Sequence, residues 1–335
     1  MESTTPIPSQ GIAQTVADAV QITQISHGLV CRSGSTTISQ AIDAYMASYA
    51  GRDETRGQRM AWWQQEIGHM RLDSVDQDTI FFALEKLQSR TPRYWAGKDA
   101  DGNNIYKAKK TGYAPATINR YAATIGALFT WCFRNRLTPK GWEHPCRGIE
   151  RKAEKNERTR FLSESECSAL LNACKASRWP KLYLLVLMGI VTGGRRTEIR
   201  RLTWSDIDWD RKEASVYKTK NDTPKVMPLT DSVMNELAKF RGQPSDLIFA
   251  SSQRPWQPYN HVPVWSKALK DAGIKSFRFH DLRHTCASYL AQQGATLIQI
   301  GEVLGQKQVS VTKRYSHLTT AHKSRLIHDV LGKIS

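Results

Sequence analysis

The sequence predicts a mainly α fold with one small antiparallel β-sheet, divided between two domains. Three observations predict it. Apolar residues recur at helical spacing over most of the chain. One stretch, from Ile207 to Leu229, switches to short runs broken by turn residues. A strongly charged segment, Arg147 to Arg160, interrupts the apolar pattern near the middle. With 335 residues, the chain has length for two sizeable cores.

Residues 1–35 are rich in Thr, Ser, Gln and Gly and show little periodicity, so they are expected to form a flexible arm with at most one short helix. From Thr37, the positions Ile38, Ala41, Ile42, Tyr45 and Met46 predict a first helix. Trp62, Trp63 and Ile67 predict a second, and Ile80, Phe81, Leu84 and Leu87 a third. The polar stretch Ala96 to Gly112 contains Asp101-Gly102, a strong hairpin signal. Ala116 to Phe133 is the clearest helix of this half, its stripe being Ile118, Tyr121, Ala122, Ile125, Leu128, Phe129 and Cys132. Together these make residues 36–146 a small, essentially all-α domain.

Residues 147–160 form a basic linker, read equally well as a solvated surface segment or as a strap along a phosphate backbone. Leu162-Ser163-Glu164-Ser165-Glu166 then has the form of a capping box and opens a second domain, residues 161–335. Helices are expected around Glu166–Cys174 and Lys181–Thr192. Ile207–Trp209, Ala214–Tyr217 and Lys225–Leu229 form a three-stranded antiparallel sheet with tight turns. His280 to Gln293 is a helix ending at Gly294, and Thr296 with Gln299 caps another that ends at Gly305. A last amphipathic segment, Ser324–Leu331, aligns Leu326, Ile327, Val330 and Leu331.

A formal charge of +17 favours a polyanionic partner, because each cation that meets a phosphate releases condensed counterions. The rival partner, an anionic membrane surface, has little support. No run approaches the roughly 18 apolar residues that span a bilayer, and Met1 to Ser9 is polar, unlike a secretory leader. The six cysteines form no CxxC pair, so neither a metal site nor a disulfide framework is expected. The expectation is a soluble cytoplasmic protein that binds nucleic acid and needs no metal.

Four separated pieces of the second domain carry reactive side chains: Thr192–Glu198, Lys220, His280–Arg283 and Arg314-Tyr315. Cutting a phosphodiester without metal needs a nucleophile, cations for the non-bridging oxygens and an acid for the departing 5′ oxygen. Two arginines suit the second task, since guanidinium is planar, permanently charged and bidentate. Tyrosine suits the first, because its phenolate is a moderate leaving group and the attack can be reversed. Lysine can serve as the acid, and histidine can shuttle a proton. Taken singly, each piece has an ordinary structural reading: an i, i+3 ion pair for Arg195 and Glu198, a solvated turn for Lys220, a cap and a surface cation for His280 and Arg283, and a core-rim phenol for Tyr315.

In order and local context these pieces resemble the catalytic domain of tyrosine recombinases, the phage-integrase family. VTGGRRTEIRRLTWSDID (Val191–Asp208) resembles the first-arginine motif, which implies Arg195 as a catalytic arginine and Glu198 as its structural partner. KTKNDTPKVMPL (Lys218–Leu229) resembles the hairpin of the catalytic lysine, which maps to Lys220. FHDLRHTCASYLAQQGATLIQIGEVLGQ (Phe279–Gln306) resembles the HxxR box, giving His280 and Arg283, and VTKRYSHL (Val311–Leu318) gives Tyr315 as nucleophile. The likeness covers about Arg160 to Leu318, and Thr37–Arg136 resembles the family's core-binding domain more loosely. It departs at Gln306, where the family usually has histidine or tryptophan after Leu-Gly. An amide can donate a hydrogen bond but cannot take up a proton near pH 7, so reduced but surviving activity is expected. His317 is not expected to substitute.

The resemblance implies an all-α core-binding domain and an α+β catalytic domain closing as a C-shaped clamp on double-stranded DNA. It implies a homo-tetramer on two sites, a 3′-phosphotyrosine intermediate, a Holliday junction, and no cofactor, metal or ATP. The Ser324–Leu331 helix would dock on a neighbouring protomer or fold back on its own domain. Accessory DNA-bending or directionality proteins are open as further partners, and an integrase of a mobile element is the first biological reading. The alternatives are a type IB topoisomerase-like relaxase, using the same residues without pairing sites, and a DNA-binding regulator with impaired catalysis.

Overall fold

The computed structural model describes residues 36–154, 160–217, 224–306, 312, 314–316 and 328. The expected arm over residues 1–35, Lys220 and His317 lie outside the described residues, as does the Ser324–Leu331 helix apart from His328. The chain separates into two compact units, Met1–Lys155 and Asn156–Ser335.

In the first unit, α1 (Ile38–Ala47) begins at a reciprocal cap. Gln40 N–H donates to Thr37 Oγ1 and Thr37 N–H to Gln40 Oε1, satisfying two helix-end donors. α2 (Arg56–Ile67) buries Met60, Trp62, Trp63 and Ile67. Trp63 Nε1–H donates to the Tyr121 carbonyl at 3.0 Å, so the largest core side chain also has its one polar atom satisfied. α3 (Gln77–Ser89) is capped by Asp76, which accepts from Thr79 N–H at 2.8 Å.

Phe81 corrects the expected stripe. It is 50% exposed beside exposed Phe82, and Ala83 takes the inward position with Ile80, Leu84 and Leu87. A residue one step from Ile80 lies about 100° round the helix, off the buried face.

The Asp101-Gly102 signal is a real hairpin, so the first unit is helical with a β addition. β1 (Arg93–Lys98) and β2 (Asn104–Ala108) pair antiparallel with Lys98 opposite Asn104. Asp99 Oδ1 accepts the N–H groups of Asp101 and Asn103, and Gly102 takes φ +84°, which its missing Cβ permits. α4 (Pro115–Arg134) carries Pro at its first turn and buries Ile118, Tyr121, Thr124, Ile125, Leu128, Phe129 and Cys132. The beginning of the charged segment is pinned to its own unit. Lys152 exchanges two backbone hydrogen bonds with the Asn119 amide, and its Nζ meets Glu85 at 3.0 Å.

In the second unit, α5 (Glu164–Lys175) starts at the capping box of Ser163 and Glu166. α6 (Leu182–Thr192) is apolar on every face and lies in the core. α7 (Arg196–Arg200) leads to a sheet of order β3–β4–β5: Ile207–Asp208, Glu213–Val216 and Lys225–Pro228. Ala214 pairs with Met227 and Val216 with Lys225, so Ala214, Val216, Lys225 and Met227 all lie on the buried face. α8 (Asp231–Ala238), α9 (Val262–Asp271), α10 (Asp281–Gln292) and α11 (Leu297–Leu304) complete the described unit. α11 has the expected Thr296/Gln299 cap and ends at Gly305, φ +64°. No described helix is long and apolar enough to cross a membrane.

Candidate active site

The turn after α6 aims the first arginine. Thr192 Oγ1–H donates to the Met188 carbonyl at 2.7 Å, and Oγ1 accepts Gly194 N–H at 3.1 Å. Gly193 then leaves the helix at φ +56°. A Cβ there would strike the Leu304 side chain and lie 3.2 Å from Cys286 Sγ, so the turn requires glycine twice over. Arg195 follows in extended conformation as the cap of α7.

Glu198 accepts Arg195 N–H at 2.9 Å and Nη1–H at 2.6 Å. Burial would raise the Glu198 pKa. The Arg195 hydrogen bonds and the charges of Arg195 and Lys225 outweigh burial and hold it below the usual carboxylate range. This carboxylate therefore stays ionised and fixes one guanidinium edge.

α10 supplies the second arginine. Arg283 is 4% exposed and donates from Nη1 to the Gly193 carbonyl at 2.8 Å. Burial and then Arg195 push its pKa down to about 10, which leaves it a cation at neutral pH. His280 is exposed at the start of the same helix. Partial desolvation, then Arg283, Arg195 and Arg314, lower its pKa.

Tyr315 lies in a short turn with Arg314 and Ser316 and is 3% exposed. It packs among Cys286, Ala287, Ala291, Ile300 and Leu304. Its hydroxyl is 2.6 Å from His284 Nδ1. Burial, then His280 and Arg314, push the His284 pKa down to about 4, so the ring is neutral at pH 7. In the tautomer protonated on Nε2, His284 accepts the phenolic hydrogen. Burial raises the Tyr315 pKa, while Arg314 and Arg283 oppose the rise. Cys286 is no rival nucleophile, since burial pushes its thiol up to about 11.

Arg195, Glu198, His280, Arg283 and Tyr315 thus come from segments far apart in the chain and share one electrostatic neighbourhood. Gln306 has its amide oxygen accepting from Thr312 Oγ1 at 3.3 Å, and its backbone N–H donates to Gly301.

Two further residues were not among the sequence candidates. His284 has its signal in the i, i+4 relation to His280, hidden because the HxxR spacing ends at Arg283. Lys225 is 7% exposed, and its signal is a lysine in phase with Met227 and Leu229 on a strand. Among the described residues, no group of three or more His, Cys, Asp or Glu could hold a metal ion.

Residues 160–322 match the Phage integrase family. The chain is 28% identical over 300 residues to the integrase of Salmonella phage P22, covering 82% of this chain and 74% of that protein. It is also 28% identical over 233 residues to the tyrosine recombinase XerD of Oceanobacillus iheyensis, covering 65% and 76%. Among solved structures, the Tn1549 transposon integrase in complex with a circular intermediate DNA superposes with a TM-score of 0.65. That match has 16% identity and covers 87% of this chain and 100% of that one, a likeness of fold.

Proposed function

This chain belongs to the phage integrase family of tyrosine recombinases, and from that premise we propose that it cuts and rejoins specific DNA sites through a 3′-phosphotyrosine at Tyr315. The observation that carries the proposal is the meeting of a buried phenol, its 2.6 Å imidazole partner and two arginines with one shared counter-charge.

In the proposed step, Tyr315 Oη attacks phosphorus and its proton passes to His284 Nδ1. Arg195 and Arg283 neutralise the charge gathering on the non-bridging oxygens, where fixed donors in a site of low dielectric act most strongly. A lysine protonates the 5′ oxygen as it leaves, the part that the motif assigns to Lys220. His280, at the exposed rim, exchanges protons with the site. The liberated 5′ hydroxyl of a partner strand then attacks the phosphotyrosine, and the sequence runs in reverse. Bond energy is conserved in the phosphotyrosine, so the scheme needs no ATP.

The substrate is double-stranded DNA, in keeping with the +17 charge and the DNA complex formed by the Tn1549 relative. Residues 36–146 act as the core-binding domain and 161–335 as the catalytic domain, joined by 147–160. Four protomers act on two sites through a Holliday junction, in the cytoplasm.

The test is covalent trapping. Nicked duplexes from DNA flanking the gene are incubated with wild-type protein and Tyr315→Phe, and resolved on a denaturing gel. A protein–DNA band in wild type alone, persisting in EDTA, is the expected result. Bound DNA on a native gel without that band would overturn the assignment.

A further inference from the structure

We propose that Lys225 is a catalytic acid of this site, delivering its ammonium proton to the departing 5′ oxygen. The inference rests on the strand-cutting reading above and changes one member of it, since the family motif assigns that part to Lys220.

The position is built into the sheet. Lys225 opposes Val216 across β4 and β5, and period-two alternation turns it inward with Met227. Its stem runs beside Gly305, where a Cβ would come within 2.9 Å of Lys225 Cδ. Gly305 therefore does two things: it ends α11 in the left-handed region and leaves a channel for the lysine, next to Gln306.

At the end of that channel the ammonium is buried, with no hydrogen-bond partner among the described residues. Its electrostatic neighbours are Arg283, Glu198, Arg195 and Cys286. Glu198 already takes two hydrogen bonds from Arg195. Three cations thus share one carboxylate. A buried ammonium without a partner is unfavourable in a low dielectric, and an incoming phosphodiester supplies the anionic oxygens the cluster lacks.

The group is also tuned for proton transfer. Burial, then Arg283, push its pKa down to about 8, with Arg195 acting in the same direction and Glu198 against it. At neutral pH such a lysine is mostly protonated, yet gives up its proton far more readily than one in water. In the step proposed, the Tyr315 Oη–P bond forms as the P–O5′ bond breaks. The electron pair leaves on O5′, which takes the proton from Lys225 Nζ and leaves a neutral amine. The phenolic proton rests on His284. In the rejoining step the amine takes the proton back from the attacking 5′ hydroxyl.

The experiment uses the full chain and two nicked duplexes from DNA flanking the gene. One carries the ordinary scissile phosphodiester, and the other has sulfur in place of the bridging 5′ oxygen. A thiolate leaves without protonation, so loss of an acid is rescued by sulfur while loss of structure is not. Lys225→Met is expected to cleave the oxygen duplex roughly 100-fold slower than wild type and the sulfur duplex within about 3-fold of it. Lys225→Arg keeps the charge but holds its proton too tightly, and is expected to show the same split. It decides the matter if the methionine variant fails to fold. Equal slowing on both duplexes, wild-type rates on oxygen, or sulfur rescue confined to Lys220→Met would each overturn the assignment. A wild-type protein that forms no adduct on either duplex overturns the recombinase reading itself, and Lys225 with it.

Discussion

Arg283 Nη1 donates to the carbonyl oxygen of Gly193 at 2.8 Å, tying the second arginine of the site to the turn that launches the first. The bond satisfies a carbonyl at the end of α6, where helix carbonyls lack internal partners. It also fixes which edge of the guanidinium is left for substrate. Arg283→Lys keeps the charge but loses the planar fork. Single-turnover cleavage is expected to fall roughly 100-fold or more, with DNA affinity at fixed salt changed by only a few-fold. Equal losses in both would show that Arg283 serves binding and not the transition state.

Gly193→Ala tests the same turn from the backbone side. The substitution meets a left-handed φ of +56° and the side chains of Leu304 and Cys286 together. The left-handed conformation alone costs about 1–2 kcal/mol, and the collision with Leu304 adds to it. Denaturant unfolding should show a lower midpoint, with cleavage falling further than stability alone explains, because the acceptor of Arg283 moves.

Much of this was legible in the sequence, and the omissions have physical reasons. The capping boxes at Ser163 and Thr296 and the glycines at 294 and 305 announce helix ends through local chemistry, which survives any tertiary context. The three strands follow from turn residues and alternation. Phe81 was misread because spacing identifies a face but not its width. His284 and Lys225 were missed for another reason: their significance lies in what they meet across the fold. Nothing local tells that the histidine after Arg283 touches Tyr315, thirty-one residues on. A lysine on a strand likewise reads as solvated until the register turns it inward.

Glu198 is the counter-charge of the cluster, and removing it leaves Arg195, Arg283 and Lys225 facing one another. Glu198→Ala is expected to cost about 3–5 kcal/mol, the range for leaving buried charge uncompensated. Glu198→Gln keeps a hydrogen-bond acceptor for Arg195 and should lose less. Urea unfolding of the two variants measures the difference. Equal losses would assign the role of Glu198 to hydrogen bonding and not to charge.

Gln306 is anchored by Thr312, and its amide cannot exchange a proton. Gln306→His introduces a group that titrates near neutrality. Cleavage is expected to rise by about tenfold, within the range of general acid–base contributions, with a new dependence on pH around 6.5. An unchanged rate and pH profile would count against any catalytic role for the position.

Acid sensitivity follows from two buried imidazoles. Burial, then Arg200, push the His261 pKa down to about 4, and burial, then His280, do the same to His284. The ordinary value is about 6.5. Above that value neither the folded nor the unfolded chain protonates these rings. Between 6.5 and 4 the unfolded chain takes up the protons and the folded chain does not, so stability falls with pH through this window and no further below it. Each ring accounts for roughly 3 kcal/mol at the acid end. His261 lies away from Tyr315, edge-on to Phe279 at 5.1 Å, so His261→Phe keeps the aromatic contact and removes the titration. The variant's Tm is expected to fall less than the wild-type Tm between pH 7 and about pH 4.5, by roughly 5 °C. The carboxylates, Glu198 among them, supply the loss that remains. A variant as acid-sensitive as the wild type would show that His261 stays neutral in both states, or that its ring reaches water in the folded chain.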